Sequence, residues 1–203
     1  MDMKKAASVI SYIFHPLIMP TLGLFLILNS GTYLSLLDTA AQRAILFVMA
    51  LGTLFFPLIM IPVLYYRNLV SSLQYPTREE RLIPQLIILV LYIITFIYFA
   101  RLPLNRVIHA YVLSVTAIPF LVLVLNLKFK ICIHSAALGG LSGLIIYLIF
   151  LYNTPLQGTL ILSLLAGGIT GSARLAMGAN RSIEIYMGYL LGFGVVLITL
   201  LVY

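Results

Sequence analysis

The chain has 203 residues, of which 63% are hydrophobic and only 8% are charged, and its mean hydropathy is +1.14. Soluble globular domains do not have this composition, so a soluble enzyme or binding domain is excluded. The formal net charge of +7 comes from Lys and Arg residues that stand singly or in small groups, which does not make the continuous basic surface typical of nucleic-acid binding. We therefore expect anionic lipid headgroups or phosphate as partners, and no nucleic acid.

Seven apolar windows account for nearly the whole chain. A helix needs about 20 apolar residues to cross the hydrocarbon core, and backbone groups in lipid must be satisfied within the segment. The sequence therefore predicts an all-α polytopic membrane helix bundle of six to seven transmembrane helices, organised as a single domain over residues 1–203. The windows run over residues 9–29, 43–66, 82–100, 106–127, 133–152, 156–173 and 183–203.

The first window is the least regular of the seven. It contains His15, Pro16 and Pro20, so we expect it to be kinked or partly re-entrant. Lys4 and Lys5 precede it in the manner of a secretory signal, but no small-residue cleavage site follows. We predict an uncleaved first span.

The distribution of Lys and Arg predicts the orientation. If the windows alternate in direction, the side that holds the N-terminus collects most of these residues, and the positive-inside rule makes that side cytoplasmic. We expect a multi-pass membrane protein with that side in the cytoplasm.

Three polar clusters interrupt the apolar sequence, at Thr77–Pro84, Lys128–Ser135 and Gly171–Glu184. An even number of crossings separates each pair, so all three are expected at one face of the bundle, which the count of Lys and Arg makes cytoplasmic. The last three windows also carry GxxxG pairs, which allow helix backbones to approach closely and would bring the second and third clusters together. The pairs are Gly139 with Gly143, Gly167 with Gly171, and Gly188 with Gly192.

The arginines, the histidine and the acidic residue of these clusters occur in an order that one known protein family shares. Arg81 with Pro84, then His134, then Arg174 with Glu184 ten residues later, resembles the type 2 phosphatidic acid phosphatase superfamily, and Phe14–Thr21 is similar to a segment of small bacterial members. The resemblance implies a multi-pass protein of a bacterial inner (cytoplasmic) membrane that recognises a lipid or isoprenoid phosphate without a metal or another cofactor.

The resemblance also implies how phosphate would be held. Arg81 and Arg174 fall on positions that bind phosphate oxygens, which suits the planar, bidentate guanidinium group. Gln74 stands where the family has a lysine, and Arg78 is the candidate to replace it.

The catalytic positions of the family match only in part. His134 falls on the histidine that protonates the leaving group, and Glu184 falls on the acid that orients the nucleophile. Asn180 stands in place of the nucleophilic histidine, and a carboxamide has no basic lone pair with which to form a phosphoenzyme. Two hypotheses follow: a lipid phosphatase in which His134 is the nucleophile or the base, or a non-catalytic relative that binds a phosphate headgroup or serves as an accessory subunit. A small transporter is the third class, but no inverted repeat is visible.

Several of these residues also have a simpler structural interpretation. Asn180 is suited to be the N-cap of the last helix, Glu184 could pair with Arg181 three residues earlier, and His134 could be a solvated helix-end residue. His15 is expected on the same side as the clusters, and His109 on the opposite side. Five basic residues are interpreted as anchors whose charged ends reach the membrane surface: Arg67, Arg101, Arg106, Lys128 and Lys130.

Overall fold

The computed structural model describes residues 3–32, 37–67 and 78–203, without the side chains of residues 61, 65 and 78–81. All regular secondary structure in these ranges is helical, as predicted. The helices are α1 (Met3–Ile13), α2 (Met19–Leu28), α3 (Thr39–Ala50), α4 (Phe56–Tyr66), α5 (Arg78–Ala100), α6 (Arg106–Asn126), α7 (Ile133–Tyr152), α8 (Gln157–Ala176) and α9 (Ser182–Val202).

Six stretches of the described chain are long and apolar enough to cross a membrane, which makes this a multi-pass membrane protein. They are Thr39–Leu64, which joins α3 and α4, then Leu82–Ala100, and the whole of α6, α7, α8 and α9. Helix α7 is central, since 67% of its apolar window is buried, against 28% for α9. The prediction of six to seven transmembrane helices is confirmed, with six candidate spans in the described chain.

The first apolar window is broken, as its histidine and prolines suggested. Helix α1 ends at Ile13, a turn occupies residues 14–18, and α2 begins at Met19. Pro16 disfavours helical geometry at His15, and Pro20 lies in the first turn of α2, where its missing N–H costs nothing. With ten residues, α2 is about 15 Å long and reaches across only half of a bilayer core.

Two buried tyrosines hold irregular backbone in place. Between α3 and α4 the helix widens into a π-helical segment, Leu51–Phe55. Pro57 cannot donate to the carbonyl of Thr53, four residues earlier, and the Tyr92 hydroxyl of α5 donates to that oxygen at 3.3 Å. The Tyr111 hydroxyl of α6 donates to the carbonyl of Pro20 at 2.9 Å, which fixes α2 against α6.

Glycines bring α7 and α9 into backbone contact. A Cβ built on Gly143 would lie 2.7 Å from the carbonyl oxygen of Phe193, and one on Gly192 would overlap the carbonyl oxygen of Ala136. Gly139 and Gly188 are equally close to backbone of the opposite helix. The predicted close packing at these two GxxxG pairs is confirmed, and it fixes the beginning of α7 beside the beginning of α9.

Hydroxyl groups join the same helices deeper in the bundle. The Tyr189 hydroxyl of α9 donates to Ser142 Oγ of α7 at 2.7 Å, and Ser142 Oγ lies 3.0 Å from Ser163 Oγ of α8. These bonds are among side chains only, so the helices keep their own backbone hydrogen bonds. The last three helices therefore form one tightly connected unit.

Candidate functional site

The second and third polar clusters meet, as expected, at the end of the bundle where α7 and α9 begin and α8 ends. We call this the site end, defined by residues 128–135 and 171–184. The backbone N–H of Cys132 donates to the carbonyl of Glu184 at 3.1 Å. Lys130 Nζ donates to the carbonyl oxygen of Ala179 and lies 3.9 Å from Glu184 Oε2. Backbone and side chains of the two loops are thus tied together.

Asn180 connects two charged side chains across the turn between α8 and α9. Arg174 Nε donates to Asn180 Oδ1 at 3.0 Å, and Asn180 Nδ2 donates to Glu184 Oε2 at 2.8 Å. The turn is closed by Gly178, whose φ of 66° suits glycine. Arg174, Asn180 and Glu184, three of the predicted site residues, therefore form one hydrogen-bonded chain.

Two alternatives for these residues are wrong. Asn180 is not the N-cap of the last helix. The N-cap residue is Arg181, which makes no side-chain capping bond. The Asn180 amide is instead bonded to Arg174 and Glu184. Glu184 pairs with Lys130 and not with Arg181, which is exposed. Lys130 is therefore more than a membrane-surface anchor. Its contact with Ala179 could not be predicted, because the two residues are far apart in the sequence.

Two histidines lie against each other beside Arg174. The rings of His15 and His134 are 5.7 Å apart between centroids and inclined at 73°, and the charge of Arg174 acts on both. His15 is in the turn between α1 and α2, where Nδ1 accepts from the Leu17 N–H at 3.3 Å. Burial, and then the charge of Arg174, lowers the pKa of His15 below its usual value of 6.5, so the imidazole is neutral at pH 7. The prediction that His15 lies on the same side of the bundle as the polar clusters is confirmed.

Several buried polar atoms on α1, α7 and α8 have no hydrogen-bond partner within the described part of the chain. They are His134 Nδ1, Ser135 Oγ, Thr170 Oγ1 and Ser11 Oγ. Thr170 is fully buried one helical turn before Arg174, and Ser135 is 1% exposed next to His134. A buried polar group without a partner costs about 1–3 kcal/mol, and such groups usually have an explanation. Sequence reasoning missed Thr170, because a single threonine in an apolar helix has no distinguishing pattern.

The first polar cluster can be followed only in part. Arg78 and Arg81 lie in the first turn of α5, but their side chains, together with Gln74 and Thr77, fall outside the described residues. Helix α5 reaches the site end through Gln85, one turn after Arg81: Asn126 Nδ2 donates to Gln85 Oε1 at 3.2 Å, and Asn126 Oδ1 accepts from the Ile131 N–H at 2.8 Å. The beginning of α5 therefore lies at the same face, as predicted, while phosphate contacts of Arg78 and Arg81 remain predictions.

The site is rich in donors and poor in acceptors. Arg174 and Lys130 carry positive charge, and the acid at their centre, Glu184, is already bonded to Asn180 and paired with Lys130. No three His, Cys, Asp or Glu side chains come together as metal ligands in the described ranges. The arrangement can accept an anion that brings several hydrogen-bond acceptors.

Comparisons of the chain with protein-family models, with curated proteins and with solved structures found no match. The resemblance to the phosphatidic acid phosphatase superfamily therefore continues to rest on the motif residues themselves.

Proposed function

We propose that this protein binds the phosphate group of a membrane amphiphile, a lipid or isoprenoid phosphate, at the site end. The observation that carries the proposal is the excess of donors around Arg174. Of its guanidinium nitrogens only Nε has a partner in the described part of the chain, so the two terminal nitrogens present the fork that binds phosphate oxygens in pairs. The hydroxyls of Ser135 and Thr170, which have no partner in the described part of the chain, add two further donors.

Binding without turnover is the activity that the arrangement favours. Asn180 stands at the position of the family's nucleophile, and its amide uses both ends to hold Arg174 and Glu184. An amide nitrogen has no basic lone pair, so no phosphoenzyme forms there. Asn180 instead orients Arg174 towards the ligand. A protein of this kind serves as a sensor, a lipid-handling factor or an accessory subunit in a membrane complex.

Hydrolysis is the second candidate, and the Nδ1 atom of His134, which has no partner among the described residues, is the observation in its favour. His134 would take a proton from a water molecule whose oxygen attacks phosphorus. The bond from phosphorus to the lipid oxygen would break, and the imidazolium would return the proton to that oxygen. Arg174 would stabilise the charge on the phosphoryl oxygens. No metal and no covalent intermediate are needed.

We place the protein in a bacterial inner membrane with the site end facing the cytoplasm. The excess of Lys and Arg at the site end supports this orientation. It brings the site into contact with the leaflet whose anionic lipids attract basic residues.

Binding and turnover can be measured in one experiment. The protein would be placed in nanodiscs of phosphatidylcholine, and phosphatidate and farnesyl phosphate would be titrated while released phosphate is assayed. Arg174→Gln should weaken binding roughly tenfold to hundredfold, since a hydrogen bond to a charged group contributes about 1.5–3 kcal/mol. The matched control is Arg106→Gln at the opposite end, where the guanidinium lies over the ring of Tyr203 at 5.6 Å.

Two results are decisive. Equal affinities of Arg174→Gln and the unmodified protein would refute the proposal. If the protein releases phosphate and His134→Ala abolishes that release, the function is hydrolysis and not binding without turnover.

A further inference from the structure

The turn between α1 and α2 interrupts the first apolar window at His15, and several contacts hold this turn in place. The His15 carbonyl accepts from the N–H of Ile18 at 3.0 Å, and its Nδ1 atom accepts from the N–H of Leu17 at 3.3 Å. Pro16 restricts the backbone of His15 further, and Leu17 is buried. The His15 side chain is therefore fixed by the turn that contains it.

A break of this kind has a meaning in a membrane protein. Backbone outside a helix is tolerated at membrane depth where it is buried in protein or lines a cavity, and in transporters discontinuous helices form the substrate site. Here the break places the His15 ring against His134, with 5.7 Å between the ring centroids, and the charge of Arg174 acts on both rings. The interrupted helix thus brings His15 to residues that the polar clusters supply.

The hydrogen bond within the turn decides which nitrogen of His15 carries the proton. A neutral imidazole has one N–H and one acceptor nitrogen. Because Nδ1 accepts from the Leu17 N–H, the proton is on Nε2, which makes no hydrogen bond in the described part of the chain. His15 therefore presents one fixed donor near Arg174.

His134 presents the opposite hydrogen-bonding group. Its ring bonds the backbone of Ser11, whose carbonyl lies in the last turn of α1, where no N–H of the same helix reaches it. Since Nδ1 of His134 has no partner in the described ranges, Nε2 is the atom that donates to Ser11, and Nδ1 is left as an acceptor. Of the two rings, only His15 offers an N–H to the oxygens of a phosphate.

We propose that His15 binds the ligand: its Nε2–H donates to an oxygen of the phosphate group that Arg174 holds. This inference rests on the proposed function and adds a residue that none of the three polar clusters contains. Arg174 supplies charge and two terminal nitrogens, while His15 supplies a donor whose position is set by its own turn. The phosphate group is thereby held between α8 and the turn before α2.

The charge on His15 should then depend on the ligand. His134 and Arg174 are the titratable and charged groups that face His15 within the described residues. Burial and the charge of Arg174 lower the pKa of His15 in the free protein, and a phosphate bound to its Nε2–H raises that pKa again. A protonated His15 binds phosphate more strongly than a neutral one, because charge-assisted hydrogen bonds are about twice as strong. Affinity should therefore rise as the pH falls through the pKa of His15 in the complex.

Two substitutions separate the donor from the turn. His15→Asn keeps an acceptor for the Leu17 N–H, as asparagine does in Asx turns, but has no donor at the distance of Nε2. His15→Gln can place its amide nitrogen near the position of Nε2 and cannot take a charge. The protein in phosphatidylcholine nanodiscs would be titrated with phosphatidate at about pH 7.5 and about pH 5.5, which bracket the usual histidine range. Empty nanodiscs correct for partition.

His15→Asn should bind phosphatidate a few-fold more weakly at the higher pH, whereas His15→Gln should bind it nearly as tightly as the unmodified protein. At the lower pH the unmodified protein should bind about fivefold more tightly than His15→Gln, because only the imidazole gains a charge. Titration of the phosphate itself and of His134 is common to all these variants and cancels in the ratios. His109→Gln, at the opposite end of the bundle, is the control and should keep the pH profile of the unmodified protein.

The possible failures differ. Equal affinities of His15→Asn and the unmodified protein at both pH values would overturn the inference. If His15→Asn lowers the melting temperature, the ratio of the unmodified protein to His15→Gln decides, and a ratio that does not change with pH would overturn it. Either failure leaves the proposed function standing as long as binding depends on Arg174. If Arg174→Gln binds phosphatidate as well as the unmodified protein does, the proposed function itself fails, and the inference with it.

Discussion

His109 and His134 are both half-buried histidines in the first turn of a central helix, and each contacts the backbone near the end of another helix, at Phe99 of α5 and at Ser11 of α1. His109, near the beginning of α6, donates through Nε2 to the carbonyl of Phe99 at 3.0 Å. His134, near the beginning of α7, has an Nδ1 atom with no partner in the ranges that the structure describes, and it faces His15 and Arg174. The two ends of the bundle therefore leave different amounts of unmet hydrogen-bonding capacity on the same type of side chain.

The comparison teaches how to separate a structural polar residue from a binding residue. At the end of the bundle where α5 ends and α6 begins, Asn105 caps α6 through the N–H of Val107, and His109 closes the end of α5. Buried hydroxyls without a partner in the described ranges occur at both ends: Thr154 Oγ1 at this end, and Ser135 Oγ and Thr170 Oγ1 at the site end, where Arg174 supplies a positive charge. Unmet hydrogen-bonding capacity beside a fixed positive charge is the feature that indicates a ligand.

The largest effect is expected where backbone contact holds the site together. Gly192→Ala should destabilise the protein by about 3 kcal/mol, the upper part of the range for overpacking, because its methyl group would overlap the carbonyl of Ala136 and push α7 from α9. Gly194→Ala, with nothing within 4 Å, is the control. Thermal unfolding in detergent measures the difference. Equal melting temperatures would show that the helices are less closely packed than described.

A gain of activity is expected from Asn180→His. The new imidazole would lie between Arg174 and Glu184, where the resemblance places a nucleophile and the acid that orients it. We predict slow phosphate release from farnesyl phosphate or phosphatidate by this variant and none by the unmodified protein. Asn180→Gln, which keeps an amide, is the control. An inactive Asn180→His that still binds the phosphate would weaken the family resemblance and leave the binding proposal intact.

The two histidines themselves should respond in opposite ways. His109→Leu should lower the free energy of unfolding by about 0.5–1.5 kcal/mol, because the carbonyl of Phe99 loses one of its two donors and keeps the N–H of Leu102, and should leave phosphate binding unchanged. His134→Leu should destabilise the protein less than His109→Leu does, because the lost contact with the Ser11 backbone is offset by removal of the buried Nδ1 atom that has no partner in the described ranges, but it should weaken phosphate binding. Chemical unfolding and ligand titration of both variants test this. A stability loss in His134→Leu as large as that of His109→Leu would contradict the comparison.

The smallest effect is expected from Glu184→Gln. Removal of one negative charge near the bound phosphate should tighten binding a few-fold, while the amide oxygen of Gln can still accept from Asn180. Asp38→Asn is the control, because Asp38 caps α3 by accepting from the N–H of Ala40 and lies outside the site. Weaker binding by Glu184→Gln would mean that its charge is needed to hold Asn180 and Arg174 in position.

The sequence predicted those parts of the structure that depend on local pattern. The length of the apolar windows predicted the membrane spans, and Pro16 and Pro20 predicted the break in the first window. The spacing of the glycines predicted the contact of α7 with α9. Arg174 and Glu184 could be selected because charge is scarce in an apolar chain. Their connection through Asn180 was not predicted, because an asparagine before a helix resembles an N-cap and only the geometry of the turn shows otherwise.

Other features depend on residues far apart in the sequence. Lys130 contacts Ala179, 49 residues later in the sequence, so this contact leaves no local signal. Thr170 and Ser135 are ordinary members of apolar helices until their burial and missing partners are known. The side chains of Arg78 and Arg81, predicted from the first polar cluster, are outside the described residues.

The central claim, that the site end holds a lipid phosphate through Arg174, can be tested most directly by native mass spectrometry of the protein purified from membranes. We predict that the unmodified protein and Arg106→Gln retain one phosphate-bearing amphiphile of defined mass, and that Arg174→Gln has lost it. Retention of the same adduct by Arg174→Gln would contradict the account.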